Sequence, residues 1–204
     1  MALSWATEEQ ASRSEQIRQM TIHLFHEKGY PATSIRAIAK NLDIKSSSLY
    51  YHFQSKQDLL FDVLDRIMDE LIQGLQKSVA HGQTPEEKLV AAIRFHISFH
   101  TDHQAEALIS HSELRFLSAE NFRRIAEKRK RYEEIFQQVL REGVEAGVFN
   151  VPDVKVASYA ILLMCTGVSS WFAEKGRLGG EEVARIHEDL ILRGILKTSK
   201  GGNR

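Results

Sequence analysis

Cysteine occurs once in this sequence, at Cys165, so neither an intrachain disulfide nor a zinc site built from several thiolates can form. That excludes the disulfide-stapled secreted scaffolds and favours a reducing, cytoplasmic setting. Net charge is absent too: 27 Lys plus Arg balance 27 Asp plus Glu, so the overall charge points to neither a nucleic acid nor a membrane. Three prolines and twelve glycines in 204 residues leave few breaks. No period-two alternation persists, which argues against a sheet, and there is no internal repeat or low-complexity tract. The first residues, Ser4-Trp5-Ala6-Thr7-Glu8-Glu9, lack both a basic stretch and an apolar core, so no signal peptide is expected. Long hydrophobic runs are nearly missing. Val156 to Ala173 are eighteen residues without a charge, interrupted by Ser158, Thr166, Gly167, Ser169 and Ser170. A spanning helix wants about 20 predominantly apolar residues, so a helix buried in protein or at a subunit interface is expected here and no membrane partner.

What is present is helical periodicity, and the fold class expected is all-α with about nine helices. Thr7 with Gln10 suggests a capping box for a first helix over about 8–28, with Ile17, Met20, Thr21, Leu24 and Phe25 on one face and Gly29 at its end. Ile35, Ile38, Ala39 and Leu42 form a second, short helix after Thr33-Ser34, and a third runs from about Lys45 to Phe53. Ser55 with Asp58 caps a long fourth helix to about residue 80. Thr84-Pro85-Glu86-Glu87 combines an N-cap, a first-turn proline and first-turn acids ahead of a helix over 85–101. Further helices are expected near 103–116, over 118–145 with a stop at Gly147, from Pro152 to about 175, and through Val183, Ile186, Leu190, Ile191 and Ile195. Ser199 to Arg204 read as a frayed tail.

The second and third helices are joined by Asn41-Leu42-Asp43, a spacing that gives a helix-turn-helix whose second helix can enter a major groove of double-stranded DNA. Leu42, Ile44, Leu49 and Phe53 are the apolar residues that lock the pair, leaving Lys45, Ser46, Ser47, Ser48, Tyr50 and His52 to face outward. Short hydroxyl side chains and a lysine bring backbone close to base edges and phosphates. A triple serine alone could equally cap a helix.

Residues 17–64 resemble the N-terminal domain of the TetR family of transcriptional regulators. Phe25 to Tyr30 match Phe-x-x-x-Gly-Tyr, Thr33 to Ala39 match Thr-x-Ile-x-x-Ile-Ala, and Leu49 to Leu59 match Leu-Tyr-x-His-Phe-x-Ser-Lys-x-x-Leu. The resemblance implies phosphate contacts at Thr33, Tyr50, His52 and Lys56, and base-reaching positions at Arg36, Lys45, Ser46 and Ser47. Ser34 and Ser48 complete the expected DNA-binding set. Two departures stand out: Asp43 replaces the usual turn glycine and must take a left-handed conformation, and Lys45 replaces the usual Ser or Thr cap. Residues 1–55 are thus expected to be the DNA-binding domain and 56–204 a helical ligand-binding and dimerisation domain.

Residues 1–56 carry seven Lys or Arg against five Asp or Glu, a weak positive excess. Affinity should then rest on hydrogen bonds and on pairing two subunits over a palindromic operator, with half-sites about 34 Å apart or somewhat more. Ala160, Met164, Gly167 and Trp171 share an arc of the apolar helix, and the last helix offers a second stripe with Ile191. The resemblance implies that the two helices pair with their mates in a homodimer; a purely internal core is the plainer alternative.

Residues 115–131 hold seven Lys or Arg against two Glu. A solvated helix face accounts for such a run, and so does an anion site in which Arg115 and Arg129 clasp phosphates while Phe99, His103, Leu114, Phe122, Tyr132 and Phe136 line an apolar tunnel. The stretches Glu113-Leu114-Arg115 and Arg129 to Phe136, with Gly143-x-x-x-Gly147, are similar to acyl-CoA-responsive TetR regulators of fatty-acid and sterol breakdown. An acyl-CoA or another amphipathic anion is therefore the inducer expected. His96 and His100, four apart, with His103, His111 and Glu113, could suggest a metal, but the His-Glu-x-x-His pattern is missing; no metal, no cofactor and no catalytic residue is expected. A helical enzyme or metal-binding bundle carrying a helix-turn-helix is the alternative to a ligand-controlled repressor.

Overall fold

The computed structural model describes the backbone of residues 2–196 and the side chains of 13–196. The chain runs as α1 (Ala2–Ala32), α2 (Ile35–Asn41), α3 (Ser46–His52), α4 (Lys56–Ala80), α5 (Pro85–Asp102), α6 (Gln104–Ser112), a 3-10 turn (Leu114–Phe116), α7 (Ala119–Glu145), α8 (Val154–Thr166), α9 (Val168–Trp171) and α10 (Gly180–Ile195). Among the described residues that makes nine helices of at least seven residues, the single turn α9, and no strand beyond one isolated bridge between Phe149 and Leu196. The all-α expectation holds.

Local signals account for most of the boundaries. The Thr84 hydroxyl accepts from Glu87 N–H while Glu87 reaches back to the Thr84 N–H, a reciprocal cap with Pro85 at the first position. The Ser55 hydroxyl accepts from the Asp58 N–H at 3.0 Å and starts α4. Gly29, at φ +76°, breaks α1 near its end, and Gly147, at φ +72°, follows the end of α7. Asp43 is left-handed at φ +52°, as the missing turn glycine demands.

Three boundaries differ from those expected. α1 is already helical at Thr7, so Thr7 is not its cap; the side chains of Thr7 and Gln10 lie outside the described residues, as does the 199–204 tail. The expected 103–116 helix closes at Ser112, and a separate 3-10 turn follows. The apolar helix starts at Val154, capped by Asp153, and gives way to α9 at Gly167. Together α8 and α9 form an 18-residue stretch apolar and long enough to cross a membrane by composition, yet only 28% of it is buried. Its outer face must be covered by something, and a second helix pair does that as well as lipid.

The chain separates into two compact units, residues 1–67 with 105–125, and 68–104 with 126–204. The first unit buries Ile17, Leu24, Phe25, Ile38, Leu49, Leu59, Leu60 and Leu64. Arg18 joins α1 to α4 through Asp62 at 2.5 Å and holds Glu15 at 3.1 Å. Against the opposing effect of partial burial, the Gln19 amide, donating at 3.1 Å, and then the Arg18 guanidinium hold the Glu15 carboxyl below its usual range. The second unit buries Leu75, Leu89, Ile93, Ile97, Phe136 and Leu140.

Candidate nucleic-acid interface and effector region

α3 is anchored by Leu49, fully buried, and Phe53, 7% exposed, while Leu42 and Ile44 are half-buried. Truncating Leu49 to Ala would cost about 2–5 kcal/mol and loosen the helix that must meet DNA. Lys45 stands at the N-cap in extended conformation and, having no acceptor, makes no side-chain cap. Arg36, Lys45, Ser47, Ser48 and Tyr50 are exposed, and Ser46 and His52 half-buried. Ser34 is exposed but its hydroxyl accepts from the Ala37 N–H at 3.1 Å to start α2. His52 Nδ1 lies 3.2 Å from the Ser14 hydroxyl, which fixes the ring beside α1.

Two expected phosphate contacts are occupied inside the fold. Thr33 is 2% exposed, and its hydroxyl faces the carbonyls of Leu24 at 3.2 Å and Gly29 at 3.0 Å. It closes the end of α1, so its side chain is not a surface group. Lys56 donates to the carbonyls of Tyr30 at 2.7 Å and Thr33 at 2.8 Å, with its ammonium 4.0 Å from the Tyr30 ring centroid. Partial burial lowers its pKa, and two of its three donors are committed within the fold.

Tyr30 is the centre of this packing. Its ring stacks on Phe116 at 5.1 Å and meets Phe25 edge-on at 5.4 Å, its N–H donates to Glu113 Oε2 at 3.3 Å, and the Gln57 amide donates to the Phe116 carbonyl. Leu114 and Arg115 sit on the 3-10 turn of this same unit, with Arg115 over the Phe116 ring at 4.9 Å. Phe122 is 48% exposed. These three expected ligand residues belong to the first unit, whereas Phe99, His103, Arg129, Tyr132 and Phe136 belong to the second.

In the second unit a buried polar cluster lies among the expected aromatics. His96 Nδ1 is 2.9 Å from the Tyr132 hydroxyl and Nε2 is 3.0 Å from the Thr166 hydroxyl. The His100 ring stacks on His96 at 4.1 Å and donates from Nδ1 to the His96 carbonyl at 2.8 Å. Phe136 meets His96 edge-on at 6.1 Å, and Phe99 packs on the exposed His103 at 4.9 Å. His96 is thus a hydrogen-bonding core residue, signalled in sequence only as part of the histidine spacing. Burial pushes the Cys165 thiol up to about 12 and raises the Tyr132 phenol well above its ordinary value. Arg129, half-buried one turn before Tyr132, has its pKa lowered by burial. A broad groove of about 1100 Å³ opens elsewhere in this unit, beside Arg131 and Arg141, and none of the expected ligand residues lines it.

His100 makes stability pH-dependent in a definite direction. Burial holds its pKa below the ordinary 6.5. At neutral pH both folded and unfolded chains carry it uncharged; below about 6.5 the unfolded chain takes up a proton that the folded one resists, so stability falls. Thermal melts from pH 7.5 to 5 are expected to drop less steeply for His100→Asn than for the parent, and identical slopes would show that His100 contributes nothing.

The dimerisation set divides as well. Trp171, Leu163, Tyr159, Val156 and Met164 are 57, 77, 49, 64 and 39% exposed, and Leu190 and Ile186 on α10 are 57 and 38% exposed. Ala160 is exposed, Gly167 half-buried. Ile191 is only 4% exposed and packs inside its own unit, so the outward stripe of α10 runs through Ile186 and Leu190 instead. Beside it, Arg94 grips the nearly buried Glu188 with two bonds of 2.6 and 2.9 Å.

Comparison with known proteins agrees with this arrangement. Residues 17–63 match the bacterial regulatory proteins of the tetR family, and residues 82–195 match the tetracyclin repressor-like C-terminal domain. The HTH-type transcriptional repressor KstR2 of Mycolicibacterium smegmatis is 30% identical over 92% of this chain and 93% of its own. The fatty acid metabolism regulator protein of Bacillus subtilis is 27% identical over 88% of this chain and 94% of its own. The structure of AibR in complex with isovaleryl coenzyme A and operator DNA superposes with a TM-score of 0.81 at 26% identity, covering 87% of this chain and 97% of that one. With both of its matched regions in place and its helix-turn-helix formed, this chain belongs to the TetR family of DNA-binding transcriptional regulators.

Proposed function

We propose that the protein is a cytoplasmic repressor that holds a palindromic operator as a homodimer and releases it when an acyl-CoA thioester of fatty-acid or related lipid breakdown binds. The observation that carries the DNA-binding half is α3, whose Lys45, Ser47, Ser48 and Tyr50 project from a helix locked at Leu49. The groups that meet DNA lie within residues 1–55, and the inducer and the second subunit are taken by residues within 56–204. The inducer class is supported by Arg129, a half-buried cation on the same face of α7 as the buried Tyr132 and Phe136, three and seven residues on. An apolar tail among those rings and an anionic head at that guanidinium match an acyl-CoA. The fatty acid regulator and the isovaleryl coenzyme A complex, each similar to this chain over most of its length, support the same class.

The test is a titration of acyl-CoA esters of several chain lengths into a protein–operator complex, repeated with Arg129→Ala. Release from the parent at concentrations roughly 10-fold lower than from the variant is the expected result, the loss of one charge-assisted contact. No release by any ester overturns the inducer class, and equal release from both proteins overturns the role of Arg129.

A further inference from the structure

We infer that Tyr51 is a specificity-determining residue, its ring reading the 5-methyl group of a thymine in each half-site. The inference rests on the operator-binding reading above and adds to it a residue outside the expected contact set. Tyr51 is 75% exposed, against 50% for its neighbour Tyr50. At about 100° per residue, Tyr51 and Ser47 each lie about 160° around α3 from Leu49, which is fully buried. The two therefore share the pole of the helix opposite its anchor, and Tyr50 and Ser48 fall on the flanks. When a helix lies in a groove, its pole meets the floor and its flanks meet the phosphate walls. Flank positions thus suit backbone contacts, and the pole suits base edges.

Size supports the same assignment. Seven residues make a helix of about 10 Å, so Tyr51 stands only about 6 Å along the axis from Ser47 and lies about one turn from the end of α3 that meets the base edges. Ser47, one turn before Tyr51, is too short to hold the helix off the floor, and the tyrosine ring is the first group to arrive. His52 meets that ring edge-on, 5.4 Å between centroids at 88°, and is itself held by Ser14, which limits how far Tyr51 can swing. A cleft of about 400 Å³ lined by Arg13, Ile44, Ser47, Ser48, Tyr51 and His52 gives the ring room beside α1, with Arg13 supplying a positive charge at the rim. An aromatic face offers no hydrogen-bond code, and what it recognises on a base edge is the apolar methyl of thymine.

The test uses the full-length protein and its own operator, in which each thymine of the half-site is replaced in turn by deoxyuridine, removing only the methyl. At one thymine per half-site the parent is expected to lose about 4-fold in affinity per methyl, or roughly 16-fold for the symmetric pair. Tyr51→Ala should bind the unmodified operator at least about 10-fold more weakly and no longer distinguish deoxyuridine from thymine. Tyr51→Phe should keep that distinction. Because Tyr51 is a surface residue, circular dichroism of both variants is expected to be unchanged. If no deoxyuridine position weakens the parent, or if the penalty is the same in parent and Tyr51→Ala, the inference is overturned while operator binding stands. If the parent binds no operator, the functional reading itself fails.

Discussion

Leu163→Arg is expected to give a folded monomer that has lost nearly all operator affinity. Leu163 is 77% exposed on α8 at the centre of a stripe that includes Val156, Tyr159, Met164 and Trp171, so the substitution costs little within one chain. In a dimer it places two guanidinium groups in a face that excludes water, at several kcal/mol each unless they escape. Losing the second reading head removes roughly 100-fold or more of apparent affinity, because the second half-site is then no longer engaged from a tethered partner. Sedimentation and a mobility-shift titration would measure both. Ile191→Arg is the informative contrast: at 4% exposure it should yield unfolded or insoluble protein. A stable Leu163→Arg dimer with parental affinity would place the pairing surface somewhere else.

Gly143→Ala is expected to be the most damaging small substitution in the second unit. A Cβ built there would stand 1.9 Å from Phe149 Cδ2 and 2.3 Å from its Cε2. The ring cannot simply move aside, since Phe149 is 3% exposed and its N–H is bonded to the Gly143 carbonyl at 3.0 Å. Overpacking of this kind costs about 3 kcal/mol, which for a chain of this length lowers Tm by about 10 °C. Adding Phe149→Leu should recover part of the loss, and the non-additivity of the pair is the diagnostic. An unchanged Tm for Gly143→Ala would mean that α7 and the segment carrying Phe149 can separate at no cost.

The legible parts of the fold are those whose signals are local. The Thr84 cap, the ends of α4 and α5 and the left-handed Asp43 follow from residues within a turn or two of each other, where helix chemistry acts. The outward face of α3 was readable too, because a family pattern and a 3.6-residue period agree there. What escaped the sequence depends on long-range partners. Lys56 looks like a spare surface cation until the Tyr30 and Thr33 carbonyls, more than twenty residues away, claim it. Thr33 and Glu113 are likewise decided by what closes over the end of α1. On α10 the apolar residues occupy two adjacent rows, and periodicity alone gave no means to tell the inward row of Ile191 from the outward row of Leu190. The expected ligand set is divided between the two units for the same reason: Leu114 and Arg115 are consecutive with residues that pack on Tyr30, while Arg129, Tyr132 and Phe136 belong to the second unit.

That packing makes the DNA-reading unit discontinuous along the chain, since Tyr30 is held by Lys56 from one segment and by Glu113 and Phe116 from another. Transplanting operator preference between relatives is therefore a two-fragment graft. A chimera that exchanges only the first 55 residues keeps the host's glutamate and phenylalanine against a foreign tyrosine and leaves the incoming carbonyls to whatever residue the host carries at position 56. Carrying residues 105–125 along with 1–67 preserves every one of those contacts, and would turn the head into a transferable cassette.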